Sequence, residues 1–154
     1  MLKRCYSKGH QKKQPTYIWC AVCADWLTFS VFKKWMENQE WQGSELDKDL
    51  LFAGNKIYSP ETCVFVSKIT NLFTVDRAAA RGDWPIGVHF DAVRGLFVAQ
   101  CKNPFGTGRV FLGRFSCPND AHEAWRRRKH ELALQLAALQ KDDRVAANLR
   151  LRYA

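Results

Sequence analysis

Three apolar–polar alternations succeed one another between residues 88 and 115, and a long helical stripe of apolar residues comes directly after them. VHFD sets Val88 and Phe90 opposite His89 and Asp91. LFVAQCK sets Phe97, Ala99 and Cys101 opposite Val98, Gln100 and Lys102. RVFLGRF sets Val110 and Leu112 opposite Arg109 and Phe111. A period of two means strands, and the connections at Arg94-Gly95 and NPFGTG are short enough for an antiparallel meander. Ser116 reads as the N-cap of the helix that follows, with Pro118 and Asp120 suited to its first turn. Ala121, Ala124, Trp125, Leu132, Leu136 and Leu139 give that helix a stripe able to cover one face of the sheet. The other face is left open, bearing His89, Asp91, Gln100, Lys102, Arg109 and Phe111. A second helix after Asp142-Asp143 closes the chain.

Charge bears on what an open face is for. The chain of 154 residues carries a formal +9, and the excess is uneven: net +3 over residues 1–80 and net +6 over 81–154. A basic half that includes a cationic sheet face points to nucleic acid first and an anionic membrane surface second. A solvated face is the plain reading of any charge cluster, but a three-stranded sheet also fits a major groove. Arginine and lysine bridge phosphate or bond guanine, and glutamine bonds adenine through both amide atoms. The membrane reading is weak: the apolar stretch YIWCAVCADWLTF is interrupted by Asp25 and too short to span a bilayer. MLKRCYSKGHQKKQ lacks the apolar core of a signal peptide. The expectation is a protein kept inside a cell, with no small-molecule substrate.

GVHF, RGLFVAQCK, RVFLGRF and AHEAW, in that order, resemble the plant APETALA2/ethylene-response-factor DNA-binding domain over about residues 85–138. The resemblance implies a three-stranded sheet that reads duplex DNA with its open face. His89, Gln100, Lys102, Arg109 and Phe111 fall at its contact positions, with Arg94 and Arg114 at the margin. His89 and Asp91 stand where the family has arginines, so the docking face is carried over but the base preference is not. The arginine and lysine cluster of the helix, Arg126 to Lys129, is expected near flanking phosphates, except that Arg127 reads as a solubility residue.

The first half holds ELDKDLLFAGNKIYSPETCVFVSKITNLF, residues 45–73. It reads as a strand, a Gly54-Asn55 turn, a second strand through CVFV, and a short helix from near Ser67. With CAVCADWLTFSVFKKWM this ββα pattern resembles phage-type HNH endonucleases that carry an attached APETALA2-like domain, over about residues 2–74. That resemblance implies one divalent cation, Mg²⁺ or Mn²⁺, held by Asp47 on the strand and Asn71 on the helix. It also implies a DNA-contacting arm upstream of MLKRCYS, and a place in the cytoplasm of a bacterial host, at the nucleoid. Lys48 stands where the general-base histidine belongs. A protonated lysine cannot take a proton, so Lys48 is left to stabilise charge and Asp49 or Tyr58 to act as base. Asp and Asn oxygens suit magnesium. Solvent-facing acids on an edge strand are the alternative.

Cys20-x-x-Cys23 is half of a zinc site, which Cys5 and Cys63, or His10, would complete. No second paired motif follows, so reduced, partly buried cysteines beside Trp19 and Trp26 are the plainer reading. Trp26, Phe29, Phe32 and Trp35 are expected in the core of this half. The fold expected is therefore α+β: an HNH-like ββα-metal unit over 1–76, a linker over 77–84, and a three-stranded antiparallel sheet packed on a helix over 85–154. The activity expected is metal-dependent hydrolysis of phosphodiester bonds in duplex DNA. DNA binding by a chain whose nuclease half has lost its chemistry is the runner-up, and RNA binding a third.

Overall fold

The strand alternations and the long stripe each become an element in the computed structural model, which describes residues 1–75 and 82–154. The chain forms two compact units, residues 1–74 and 75–154, in a mixed α+β architecture. Most of the expected linker lies outside the described residues.

In the second unit β5 (Val88–Asp91), β6 (Leu96–Lys102) and β7 (Arg109–Phe115) form an antiparallel sheet in the order β5-β6-β7. Helix α5 (Pro118–Ala137) lies over the face that carries Ala99 and Cys101, both fully buried. Ala121, Trp125, Leu132 and Leu136 face inward as expected. The buried stripe is wider than the sequence suggested, because Ala133 and Ala137 are also enclosed. The second helix, α6 (Asp143–Leu151), packs along α5 and buries Val145, Ala146 and Leu149. Asp142 caps it by accepting from the Arg144 backbone N–H at 2.8 Å.

Three expectations shift here. Cys117, not Ser116, occupies the N-cap of α5 and makes no side-chain cap bond, a thiol being a poor acceptor, while Pro118 opens the helix at a position needing no N–H. Leu139 lies beyond the end of α5 and is exposed. Val110 pairs with buried Cys101 on the covered face, yet it sits on the edge strand and stays exposed.

Gly87 allows a close approach of α5 to the start of β5. Its φ is +85°, and a Cβ there would meet the Trp125 indole at 2.1 Å. His122 fixes the same corner, its Nδ1 2.9 Å from the Ile86 carbonyl and its ring stacked on Trp125. Gly87→Ala combines a disfavoured left-handed backbone with an overpacked indole and is expected to cost about 2–4 kcal/mol. Thermal unfolding checks it; an unchanged Tm contradicts this packing.

The first unit is built from α1 (Leu2–Tyr6), α2 (Lys8–Lys13), β1 (Ala21–Val22), α3 (Phe29–Glu37), β2 (Ser44–Asp47), β3 (Ile57–Tyr58), β4 (Val64–Ser67) and α4 (Lys68–Thr74). β2 pairs antiparallel with β4, and β1 pairs parallel with β3. Its core joins Cys5, Cys20, Val22, Trp26, Tyr58 and Cys63, with Phe32, Trp35 and Leu46 packed against them. Trp26 meets the Phe32 ring edge-on at 5.0 Å and Trp35 at 4.5 Å, and Trp35 stacks on Phe65. Phe29 departs from expectation. Trp26 lies in a 3-10 turn before α3, so the helical spacing is broken there, and Phe29 opens the helix 71% exposed.

Candidate nucleic-acid interface and the acidic ββα unit

Strand pairing decides which side chains share the open face of the sheet. Residues paired across strands point to the same side, so His89 with Val98, Gln100 with Phe111, and Lys102 with Arg109 fall together. In an uninterrupted β7, Phe111 and Arg114 would point to opposite sides. The register shifts between Ala99 and Gln100, where Ala99 pairs with Gly113 but Gln100 with Phe111, leaving Leu112 as the extra residue of a bulge. Leu112 is thus not a regular member of the covered face. Gly113 takes a φ of +141° at this kink, a conformation that favours glycine. The bulge turns Arg114, paired with Val98, onto the open face, where its guanidinium lies 5.1 Å from the centre of the Phe111 ring.

Asp91 organises one end of this face. Its Oδ1 accepts from the backbone N–H groups of Val93 and Arg94, closing the β5–β6 turn. Its Oδ2 lies 3.1 Å from Arg94 Nη1 and 3.9 Å from Arg114 Nε. Removal from water pushes the Asp91 carboxyl up, but Arg94 and the turn N–H groups outweigh that and hold it below the usual carboxylate range. Arg94 and Arg114 are therefore tethered cations. Lys102 and Arg109 have no acidic partner within ion-pair distance among the described residues, and both are exposed. Phe111 stands 51% exposed among them, while Val98 beneath is almost fully covered.

The cations of α5 behave differently. Arg126 pairs with Glu123 at 3.1 Å and donates to the Ala154 carbonyl, and Arg128 pairs with Glu131 at 2.7 Å. They belong to the helix that covers the opposite side of the sheet, so they do not extend the open face. Lys129 lies 5.4 Å from the Tyr153 ring centre, and burial holds its ammonium down to about 8. A lysine whose folded pKa is lowered binds its proton better when unfolded. Its charge thus costs stability below about pH 8, and the cost disappears as pH rises toward 10.5. Lys129→Met should therefore raise the Tm most at pH 7, with the advantage shrinking toward pH 10. A pH-independent difference would contradict this placement.

In the first unit β2, β4 and α4 form a ββα arrangement, with Ser67 Oγ accepting from the Thr70 N–H at the start of α4. The acidic strand is engaged differently from the expected site. Asn71 Nδ2 donates to the carboxylate of Glu45, which stands two residues before Asp47 and on the same side of β2. Asp47 Oδ1 accepts from the backbone N–H groups of Asp49 at 2.9 Å and Leu50 at 2.7 Å. Burial pushes the Asp47 carboxyl up. Burial also acts on Asp49, but the Lys48 ammonium 3.0 Å away holds that acid down. Lys48 is buried and donates to the Asn55 carbonyl at 2.8 Å, while Asn55 Nδ2 donates back to the Lys48 carbonyl at 2.6 Å. This ladder knits the connection between β2 and β3. The only sequence signal for Glu45 as the acid that meets Asn71 is its two-residue spacing from Asp47 along β2.

Tyr58 is 2% exposed, and burial raises its phenol above the ordinary value despite a hydrogen bond from Arg4. A phenol so held stays protonated at neutral pH and packs within the core of this unit. Cys5, Cys20 and Cys63 share the core with Tyr58, and Cys23 packs against it. All are free thiols, and burial pushes Cys63 up to about 11 and Cys5 upward as well. Among the described residues no three His, Cys, Asp or Glu side chains are grouped to hold a metal ion. No helix among them is long and apolar enough to cross a membrane.

Comparison with protein-family models, with curated proteins and with solved structures finds no match to this chain.

Proposed function

We propose that this chain is a DNA-binding endonuclease: the second unit docks on duplex DNA through its open sheet face, and the ββα unit serves phosphodiester hydrolysis. The observation that carries the docking is the set His89, Gln100, Lys102, Arg109, Phe111 and Arg114 on one face of the sheet. Two exposed cations without acidic partners among the described residues suit phosphates, and an amide beside an exposed ring suits base edges. A face meant only for solvent has no need of a bulge that turns an arginine onto a phenylalanine.

The hydrolytic half is read from the acidic strand and the helix beside it. Glu45 and Asp47 on one side of β2, with Asn71 hydrogen-bonded to Glu45, offer side-chain oxygens of the kind magnesium takes, since that ion keeps several waters and needs few protein ligands. Glu45 and Asn71 would hold the cation, with Asp47 two residues along on the same side of β2. A bound divalent cation supplies charge stabilisation at the scissile phosphate. Lys48, tied to Asn55 and Asp49, shapes the strand end and stays out of proton transfer. Binding without hydrolysis is the second reading, favoured by the engagement of Asp47 with backbone N–H groups.

Nicking of supercoiled DNA in Mg²⁺ or Mn²⁺ separates the two. Glu45→Gln and Asn71→Ala should abolish nicking by the endonuclease while leaving DNA binding intact, and Asp47→Asn keeps the turn while removing the charge. Retained binding with no nicking in either metal would establish the second reading. Preference for structured RNA over duplex DNA in direct competition would overturn both.

A further inference from the structure

Resting on the reading that the open face docks on duplex DNA, we propose that Arg114 is its guanine-reading residue, with Asp91 as a positioning residue, while Lys102 and Arg109 only anchor phosphates. The four cations of this face are not equivalent. Arg114 is held on two sides, its guanidinium over the Phe111 ring and its Nε 3.9 Å from Asp91 Oδ2. A planar guanidinium restrained in this way loses less freedom on forming two parallel hydrogen bonds than a free one does.

The carboxylate decides what those bonds can go to. A phosphate brought to Arg114 would also approach Asp91, already ionised and serving Arg94, and like charges there repel. A base edge carries no net charge. Guanine presents two acceptors, O6 and N7, at the spacing of the guanidinium fork, and a nearby Asp91 is itself able to accept from the amino group of the paired cytosine. Lys102 and Arg109 sit across from each other at the far end of β6 and β7 with no acid in ion-pair reach among the described residues, which leaves them suited to phosphate. Asp91 lies on β5 and Arg114 on β7, so the reader is assembled across the sheet from both edge strands.

The test is selection of preferred duplexes from a randomised pool by the full chain, followed by affinity measurements on the selected site and on its single-base variants. The unaltered protein should show one base pair at which guanine is preferred by roughly tenfold or more. Arg114→Lys keeps the charge but not the fork. It should hold overall affinity within a few-fold and lose the preference at that one pair. Asp91→Asn keeps the turn-closing oxygen and should weaken the same preference. Lys102→Ala and Arg109→Ala should lower affinity for all duplexes alike and leave the preference intact. An unchanged guanine preference in Arg114→Lys, or its loss in Lys102→Ala instead, would overturn the assignment. Failure of the unaltered protein to bind any duplex would overturn the docking reading itself, and the assignment with it.

Discussion

Trp125→Ala should cost the second unit about 3–5 kcal/mol, the largest effect expected of any single substitution in that unit. The indole is 7% exposed and fills the angle between α5 and the sheet. It lies over Gly87, stacks with His122 and meets Tyr153 edge-on at 5.9 Å. Removing it leaves a cavity that neither the sheet nor the helix can close alone. A second expectation ties this to Gly87. The glycine is required partly because the indole occupies the space a Cβ would need, so the cost of Gly87→Ala should fall when Trp125 is already alanine. A double-mutant cycle on urea unfolding reads this directly: coupling of 1 kcal/mol or more supports it, and simple additivity contradicts it.

The affinity for duplex DNA should fall steeply with salt. Each neutralised phosphate contributes a slope of about −0.9 in log affinity against log salt. With Lys102 and Arg109 each meeting a phosphate, raising salt from 50 to 200 mM should weaken binding by roughly tenfold. Lys102→Ala with Arg109→Ala should lower the slope by about two, whereas Arg128→Ala, paired with Glu131 on the helix, should leave it nearly unchanged. A slope near zero, or one that responds to the helix rather than the sheet, would remove the basis for docking by this face.

The second unit was largely legible because its information is local. Three alternating stretches fix which residues face the helix, and short connections leave little choice but a meander. What the alternation could not show was the bulge. A strict period of two leaves Leu112 in the covered layer and sends Arg114 away from Phe111, while the structure inserts one residue at Leu112 and moves Arg114 onto the open face. Gly113 was the only local hint. The helix cations pose a related difficulty. Their ion pairs with Glu123 and Glu131 could be read from i,i+3 spacing, but their remoteness from the open face depends on which side of the sheet α5 covers.

The first unit was less legible because its contacts are long-range. The strand, the CVFV segment and the helix from Lys68 follow local patterns. The parallel pairing of β1 with β3 joins residues 36 apart and leaves no local signature. The same holds for the candidate site residues. Lys48 looks like an electrostatic catalyst beside two acids, yet its ammonium is spent on the Asn55 carbonyl seven residues on. Tyr58 looks like an available hydroxyl, yet it lies in the core. Asn71 finds Glu45 across 26 residues of chain, a pairing only the fold reveals.

The central claim is that the open face of the β5-β6-β7 sheet meets duplex DNA, and backbone amide chemical-shift mapping of the intact chain titrated with a short duplex tests it most directly. The account expects the largest changes at His89, Gln100, Lys102, Arg109, Phe111 and Arg114, with the outward positions of α5 around Arg127 and Glu131 unaffected. Changes concentrated on α5, or spread evenly over both sides of the sheet, would contradict it.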